Sequence, residues 1–183
     1  MMKKVLVLLS VLALVAMANA MVLSISSDIT GPLLPSDTIN LGVEADGFAQ
    51  GDGAFWGIIV ASGPGSVSGG VVVMPPAPDA SMILDPADYA DLAEMFGYAG
   101  ASSVFGSIDT FQASPSYTAP GGLYFDEILF HCDGEGDVLV LLVTTIDFEE
   151  YVVADSLVIS QQIPEPMTIA LLGLGGLLLR KRS

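Results

Sequence analysis

The chain has 183 residues and a formal net charge of −16 at neutral pH, from 21 Asp and Glu against five Lys and Arg. No Lys or Arg stands between Val5 and Leu179, so that span cannot neutralise a nucleic-acid backbone, form a lysine Schiff base or clamp a substrate with arginine. Cys132 is the only cysteine, which excludes an internal disulfide.

The N-terminus reads as an export leader. Lys3 and Lys4 precede an apolar stretch from Val5 to Val15, and Ala18-Asn19-Ala20 supplies the small residues that a signal peptidase requires. Cleavage is expected after Ala20. The expected layout is a signal helix in 1–20, one exported domain in 21–163 and a C-terminal segment in 164–183. A body of 143 residues suits a single domain with an apolar core. Twenty of the 21 acidic residues fall inside it. With no cationic side chain beside them, these carboxylates must stay hydrated, accept backbone N–H bonds or meet Ca²⁺ or Mg²⁺ from the medium.

Thr38–Ala45 alternates with period two: Ile39, Leu41, Val43 and Ala45 are expected inside, and Thr38, Asn40, Gly42 and Glu44 toward water. Ala54–Ala61 and Val67–Val73 read as the next two strands, separated by the turn-forming Ser62-Gly63-Pro64-Gly65. The run Met74-Pro75-Pro76-Ala77-Pro78 ends sheet structure. Asp85-Pro86-Ala87-Asp88 then has the chemistry of a helix start, with Asp85 as N-cap and Pro86 at the first helical position. Tyr89, Leu92, Ala93 and Phe96 recur at helical spacing, and Gly97 suits the residue just past the C-terminus. This aromatic stripe is read as core packing, and Asp88, Asp91 and Glu94 as a solvated face.

A Gly, Ser and Ala-rich passage follows, in which Phe105, Ile108 and Phe111 mark one more short strand. Leu123–Cys132, Val138–Thr145 and Tyr151–Ser160 are three further strands, the first two joined by the hairpin link Asp133-Gly134-Glu135-Gly136. Val138–Val143 is apolar on both faces and is expected to be a central strand. Seven or eight strands with turn signals at this spacing specify an all-β fold, an antiparallel β-sandwich with one short helix. No internal repeat is present.

Pro35-Ser36-Asp37-Thr38-Ile39-Asn40-Leu41-Gly42-Val43, taken with Gly122-Leu123-Tyr124-Phe125-Asp126-Glu127-Ile128-Leu129-Phe130, resembles the opening and penultimate strands of cohesin-like domains. The resemblance implies a nine-stranded sandwich of cohesin-like, jelly-roll-like form and a role in binding or display. It names no partner, and no dockerin-type segment occurs in the chain.

His131 is the sole histidine, so any Ser-His-Asp or Cys-His catalysis would have to pass through it. Its neighbour Cys132 is not its partner, because adjacent strand residues point to opposite faces. The expectation is an exposed or satisfied His131 and a buried Cys132. Acids are numerous enough for a carboxylate-dependent polysaccharide hydrolase, but a glycosidase also needs aromatics grouped around its acid pair, and the one Trp and five Tyr are scattered. Asp133, Glu135 and Asp137 stand at alternate positions, like the opening of a calcium loop, without the long loop or the final bidentate acid. A weak surface Ca²⁺ on these three is the single cofactor expectation.

The chain closes on Pro164-Glu165-Pro166, an apolar run Met167–Leu179 and Arg180-Lys181-Arg182. The prolines keep the tripeptide extended and readable by another protein. Thirteen residues make a helix of roughly 20 Å against a hydrocarbon core of about 30 Å, too short for a comfortable span. Basic residues that snorkel to headgroups rescue part of the mismatch. The arrangement resembles the PEP-CTERM sorting tail of exported bacterial proteins, in which an exosortase-type membrane protease acts at a Pro-Glu-Pro motif. The resemblance implies a non-enzymatic cell-surface or extracellular-matrix protein, held transiently in the membrane by its C-terminal helix and displayed or released, with extracellular polysaccharide as a possible surrounding. The alternatives are an ordinary single-span anchor, a secreted hydrolase, and an ice- or surface-adhesion protein, since the same tail occurs on some proteins described as ice-binding. No regular Thr ladder supports the last.

Overall fold

Each period-two segment has one apolar face to bury, and the chain solves this by laying two antiparallel sheets against each other. The computed structural model describes residues 22–48, 52–73, 81–85, 91–110, 121–146 and 150–162. Its strands are β1 Val22–Ser27, β2 Thr38–Asp46, β3 Gly53–Ser62, β4 Gly65–Val72, β5 Met82–Ile83, β6 Ser103–Asp109, β7 Gly122–Cys132, β8 Gly136–Ile146 and β9 Glu150–Gln161; a short helix, α1, spans Leu92–Met95. One sheet has the order β1-β2-β7-β4 and the other β5-β6-β3-β8-β9. The all-β antiparallel sandwich with one short helix is therefore present. The leader 1–20 and the tail 164–183, with the helices expected in them, lie outside the described residues. Among the described residues no helix is long and apolar enough to cross a membrane.

The core between the sheets takes Ile39, Leu41, Val43 and Ala45 from β2, the inward set expected from sequence. Of the outward set, Thr38 and Glu44 are exposed, but Gly42 is buried, because the Leu123 and Ser26 side chains lie over it. β3 sends Trp56, Ile58 and Val60 inward, β8 sends Val138, Val140 and Leu142, and β7 adds Phe125, Ile128 and Phe130. Phe125 reaches that face through irregular pairing. Leu41 of β2 pairs with Ile128 but Val43 pairs with Phe125, and Glu44 with Leu123. Extra residues in β7 thus re-aim its side chains, as β-bulges do, and Glu127 within the first shift has φ 55. Phe125 thereby meets Trp56 at 4.5 Å between ring centroids, and both rings are fully buried.

β3 and β6 pack through two reciprocal aromatic-on-glycine pairs. Trp56 lies opposite Gly106 and Gly57 opposite Phe105. A Cβ on Gly106 would come within 2.3 Å of the Trp56 ring, and one on Gly57 within 2.3 Å of the Phe105 ring. Glycine is the residue that lets each ring lie flat on the neighbouring backbone.

β8 lies between β3 and β9, as its two-sided apolarity predicts. Its outward residues Leu141 and Val143 join Ile59, Phe105, Leu84 and Ala93 in a second, smaller core on the outer face of the five-stranded sheet. Helix α1 covers part of that face, with Ala93 as its buried residue. Gly97 has φ 86; its N–H donates to Glu94 and that of Tyr98 to Ala93. This is the glycine C-terminal cap the sequence signalled. In the described part Asp91 precedes Leu92 without a side-chain cap bond; the expected start at Pro86 lies outside the described residues. β1 and β5 were not anticipated, and Phe111 of the short strand expected around Phe105 lies beyond the described end of β6.

Sheet edges are blunted by side chains. The Ile25 N–H on edge strand β1 donates to Asp155 Oδ2 at 2.9 Å. On β4, the Val67 N–H donates to Ser102 Oγ and the Ser102 hydroxyl donates back to the Val67 carbonyl. The end of β9 is covered by Leu33, which donates to Ser160 and accepts from the Gln162 N–H. Such covers suppress edge-to-edge aggregation.

Gly106→Ala is expected to lower stability by about 1–3 kcal/mol through overpacking against Trp56. Gly31→Ala, where an added Cβ meets nothing within 4 Å, is expected to stay within about 0.5 kcal/mol of the parent. Urea unfolding followed by fluorescence of the single Trp checks both.

Candidate functional site

The residues singled out from sequence fall into two groups. Ala18, Ala20, Pro164, Glu165, Pro166, Arg180, Lys181 and Arg182 all lie outside the described residues. The others sit at one end of the sandwich, where β7 turns into β8. His131 and Cys132 point to opposite faces: the His131 side chain is 46% exposed and Cys132 is buried and free. Thr38 Oγ1 lies 3.3 Å from His131 Nδ1, and Asp133 Oδ1 lies 3.5 Å from Nε2.

Asp133, Glu135 and Asp137 are all exposed, the first two in the link between β7 and β8 and Asp137 at the start of β8. Asp133 turns to His131, whereas Asp137 Oδ1 accepts the Ser160 hydroxyl of β9 at 2.8 Å. The two acids are thus engaged in different directions. Among the described residues no group of three His, Cys, Asp or Glu side chains is placed to hold a metal ion.

Beneath this link lies a buried polar node that the sequence did not signal. Gln161, 3% exposed at the end of β9, donates from Nε2 to the Pro64 carbonyl at 2.9 Å. Its Oε1 accepts the Cys132 thiol at 2.6 Å and the Gly134 N–H at 3.3 Å. One amide therefore ties the β3–β4 turn, the β7–β8 turn and the last strand together, and Cys132 serves as a thiol donor there.

Clefts also open elsewhere among the described residues, and two of them bear on chemistry. The first, about 180 Å³, is lined by Val22, Ser24, Glu44, Ala45, Asp46, Gly121 and Gly122, and so carries two acids without an aromatic ring. The second, also about 180 Å³, lies between α1 and the outer face of the five-stranded sheet, and its lining of Phe55, Leu92, Met95, Phe96, Phe105 and Tyr151 carries no acid. Phe96 packs edge-on against Tyr151 at 4.7 Å and stacks near Phe105 at 6.0 Å. A retaining or inverting glycosidase needs carboxylates and sugar-stacking rings in one groove; these two clefts keep them apart. The aromatic cleft was missed because its rings come from four elements far apart in sequence. The available signal was the two-sided apolarity of Ala54–Ala61, which demands a cover on both faces of β3.

No protein-family model matches the sequence, and no curated protein aligns with it. Solved structures similar to it include the sixth cohesin of scaffoldin B from Acetivibrio cellulolyticus, determined in complex with a Cel5 dockerin: 12% identity, 78% of this chain and 99% of that chain covered, TM-score 0.47. A non-cellulosomal cohesin from the archaeon Archaeoglobus fulgidus matches at 10% identity over 79% of this chain and 91% of that one, TM-score 0.45. The C-terminal domain of the AgI/II polypeptide BspA from Streptococcus agalactiae matches at 10% identity over 78% of this chain and 50% of that one, TM-score 0.50. At these identities the likeness is one of fold.

Gln161→Leu is expected to cost about 1–3 kcal/mol, since it removes the acceptor of the buried Cys132 thiol and of the partly buried Gly134 N–H, while the Pro64 carbonyl keeps the Asp133 N–H; equilibrium urea unfolding measures the loss. Because Asp133 and Asp137 are engaged apart, the shift in Tm caused by 1 mM CaCl₂ (about the concentration at which extracellular modules bind) is expected to be the same in the parent and in an Asp133→Asn, Glu135→Gln double variant. A calorimetric scan of both proteins with and without the salt decides it.

Proposed function

We propose that the chain is an exported, non-enzymatic module of the cell surface or extracellular matrix, delivered by its leader and sorted through a PEP-CTERM type tail by an exosortase-type membrane protease. The observation that carries this reading is the order of signals in the sequence: Lys3-Lys4, an apolar stretch and Ala18-Asn19-Ala20 precede the sandwich, and Pro164-Glu165-Pro166, the apolar run Met167–Leu179 and Arg180-Lys181-Arg182 follow it. Charge supports the same reading. Every Lys and Arg lies outside the sandwich, so positive charge retained on the cytoplasmic side by the Arg180–Arg182 cluster would leave the acidic body on the other side.

A binding or display role is supported by the separation of acids from aromatic rings. Neither of the two clefts described above holds both acids and aromatic rings. The domain layout in this proposal is 1–20 leader, 21–163 exported sandwich and 164–183 sorting tail.

Intact-mass analysis of protein recovered from cells and from the medium is the test. The expected result is a chain that starts at Met21 and has lost residues C-terminal to the sandwich. A mass retaining Met167–Ser183 in the mature product would instead assign the tail to an ordinary membrane anchor.

A further inference from the structure

The aromatic cleft continues along β9 through exposed apolar residues, interrupted on that face by the exposed Ser156 between Val153 and Val158. Tyr151, Val153 and Val158 of β9 pair with Thr145, Val143 and Leu139 of β8 and share their face, the outer face of the five-stranded sheet. They are 42%, 56% and 60% exposed, and Met95 on the facing side of the cleft is 57% exposed. Scattered surface hydrophobes need no explanation, but a row of them that runs into a ring-lined cavity marks an interaction site. The cavity of about 180 Å³ has room for a side chain, and among its described lining residues Tyr151 alone carries a hydroxyl. A sugar would find too few polar partners there.

Charge selects among the remaining occupants. Exposed Asp91 and Glu94 stand next to the cleft residues Leu92 and Met95 on α1. No Lys or Arg occurs anywhere in residues 22–162 to offset the 20 acids. A second copy of this chain would bring an equally anionic surface against the strip, and like charges brought together oppose association. An anionic lipid surface is repelled for the same reason. A cationic partner is attracted over roughly a Debye length.

We infer that the cleft and the β9 strip form a docking surface for a basic polypeptide that inserts one bulky apolar side chain, Phe or Leu, between Met95 and Tyr151 and sets flanking Lys or Arg beside Asp91 and Glu94. The occupant is another protein's segment, and the inference goes beyond the export route. It stands whether or not the tail is removed, so a failed docking experiment leaves the sorting proposal untouched and a retained tail leaves the docking surface intact.

The test uses fluorescence polarisation with protein recovered from expressing cells and a labelled Gly-Lys-Arg-Phe-Leu-Lys-Arg-Gly peptide as probe. Saturable binding is expected, weakened at least tenfold (roughly 1.4 kcal/mol) when Phe-Leu becomes Ala-Ala in the peptide. A loss of similar size is expected for Tyr151→Ala and for Met95→Ala, a position exposed enough to tolerate the change without unfolding. Salt raised from about 50 to about 500 mM is expected to weaken binding severalfold, and a Glu-for-Lys/Arg peptide is expected not to bind. The inference is overturned by absence of saturable binding, by equal affinity for the Ala-Ala peptide, by affinity unchanged in both variants, or by sedimentation showing a stable dimer that Tyr151→Ala dissociates.

Discussion

The lack of any lysine or arginine in the folded body is the constraint to which the rest of the molecule answers. The only cationic side chain a carboxylate can meet within residues 22–162 is His131, and only when its ring is protonated. The acids are therefore held by neutral donors. Asp28 accepts the Asn40 N–H, Asp37 that of Leu34, Asp46 that of Gly47, and Asp126 both the Asn40 amide and the Glu127 N–H. A charge-assisted bond to a backbone N–H is stronger than a neutral one, so these acids fix turns and strand ends in place. Cohesion between the sheets is left to apolar packing, which explains how closely Trp56 and Phe125 are fitted to each other.

The same constraint shapes the sheet margins. Many sandwiches defend an edge strand with an inward-pointing lysine, a residue this body lacks. Here Asp155 reaches across to the β1 edge, the Ser102 hydroxyl satisfies both backbone groups of Val67, and Leu33 adds a short parallel bridge to Gln161. Each device satisfies a particular backbone group, so the margin is closed by hydrogen bonding where a cation would have closed it by charge repulsion.

What could be read from the sequence follows from how local each signal is. The period-two pattern of Thr38–Ala45, the two-sided apolarity of β8 and the Gly97 cap each depend on a few neighbouring residues, and each is present. Cys132 and His131 fall on opposite faces for the same local reason. β1 was hidden because its Val22–Ser27 alternation directly follows an apolar leader, and β5 because two residues carry no periodicity. The bulge at Asp126–Glu127 depends on the register with β2, which no single strand encodes. The Gln161 node and the aromatic cleft are tertiary: Pro64, Cys132 and Gln161, like Phe55, Phe96, Phe105 and Tyr151, are brought together only by strand order. The alternate acids Asp133, Glu135 and Asp137 show the reverse, a local pattern of which the fold turns Asp133 and Asp137 toward different neighbours.

The final strand has a mechanical meaning as well. Gln162 leaves β9 where Leu33 clasps it on one side and the Gln161 amide grips the Pro64 and Gly134 backbones on the other. A pull directed along β9 would strain its ladder with β8 in shear, with many hydrogen bonds resisting together. A pull directed across the ladder would peel them one after another. The strand is therefore built to bear tension along its own axis better than tension across it.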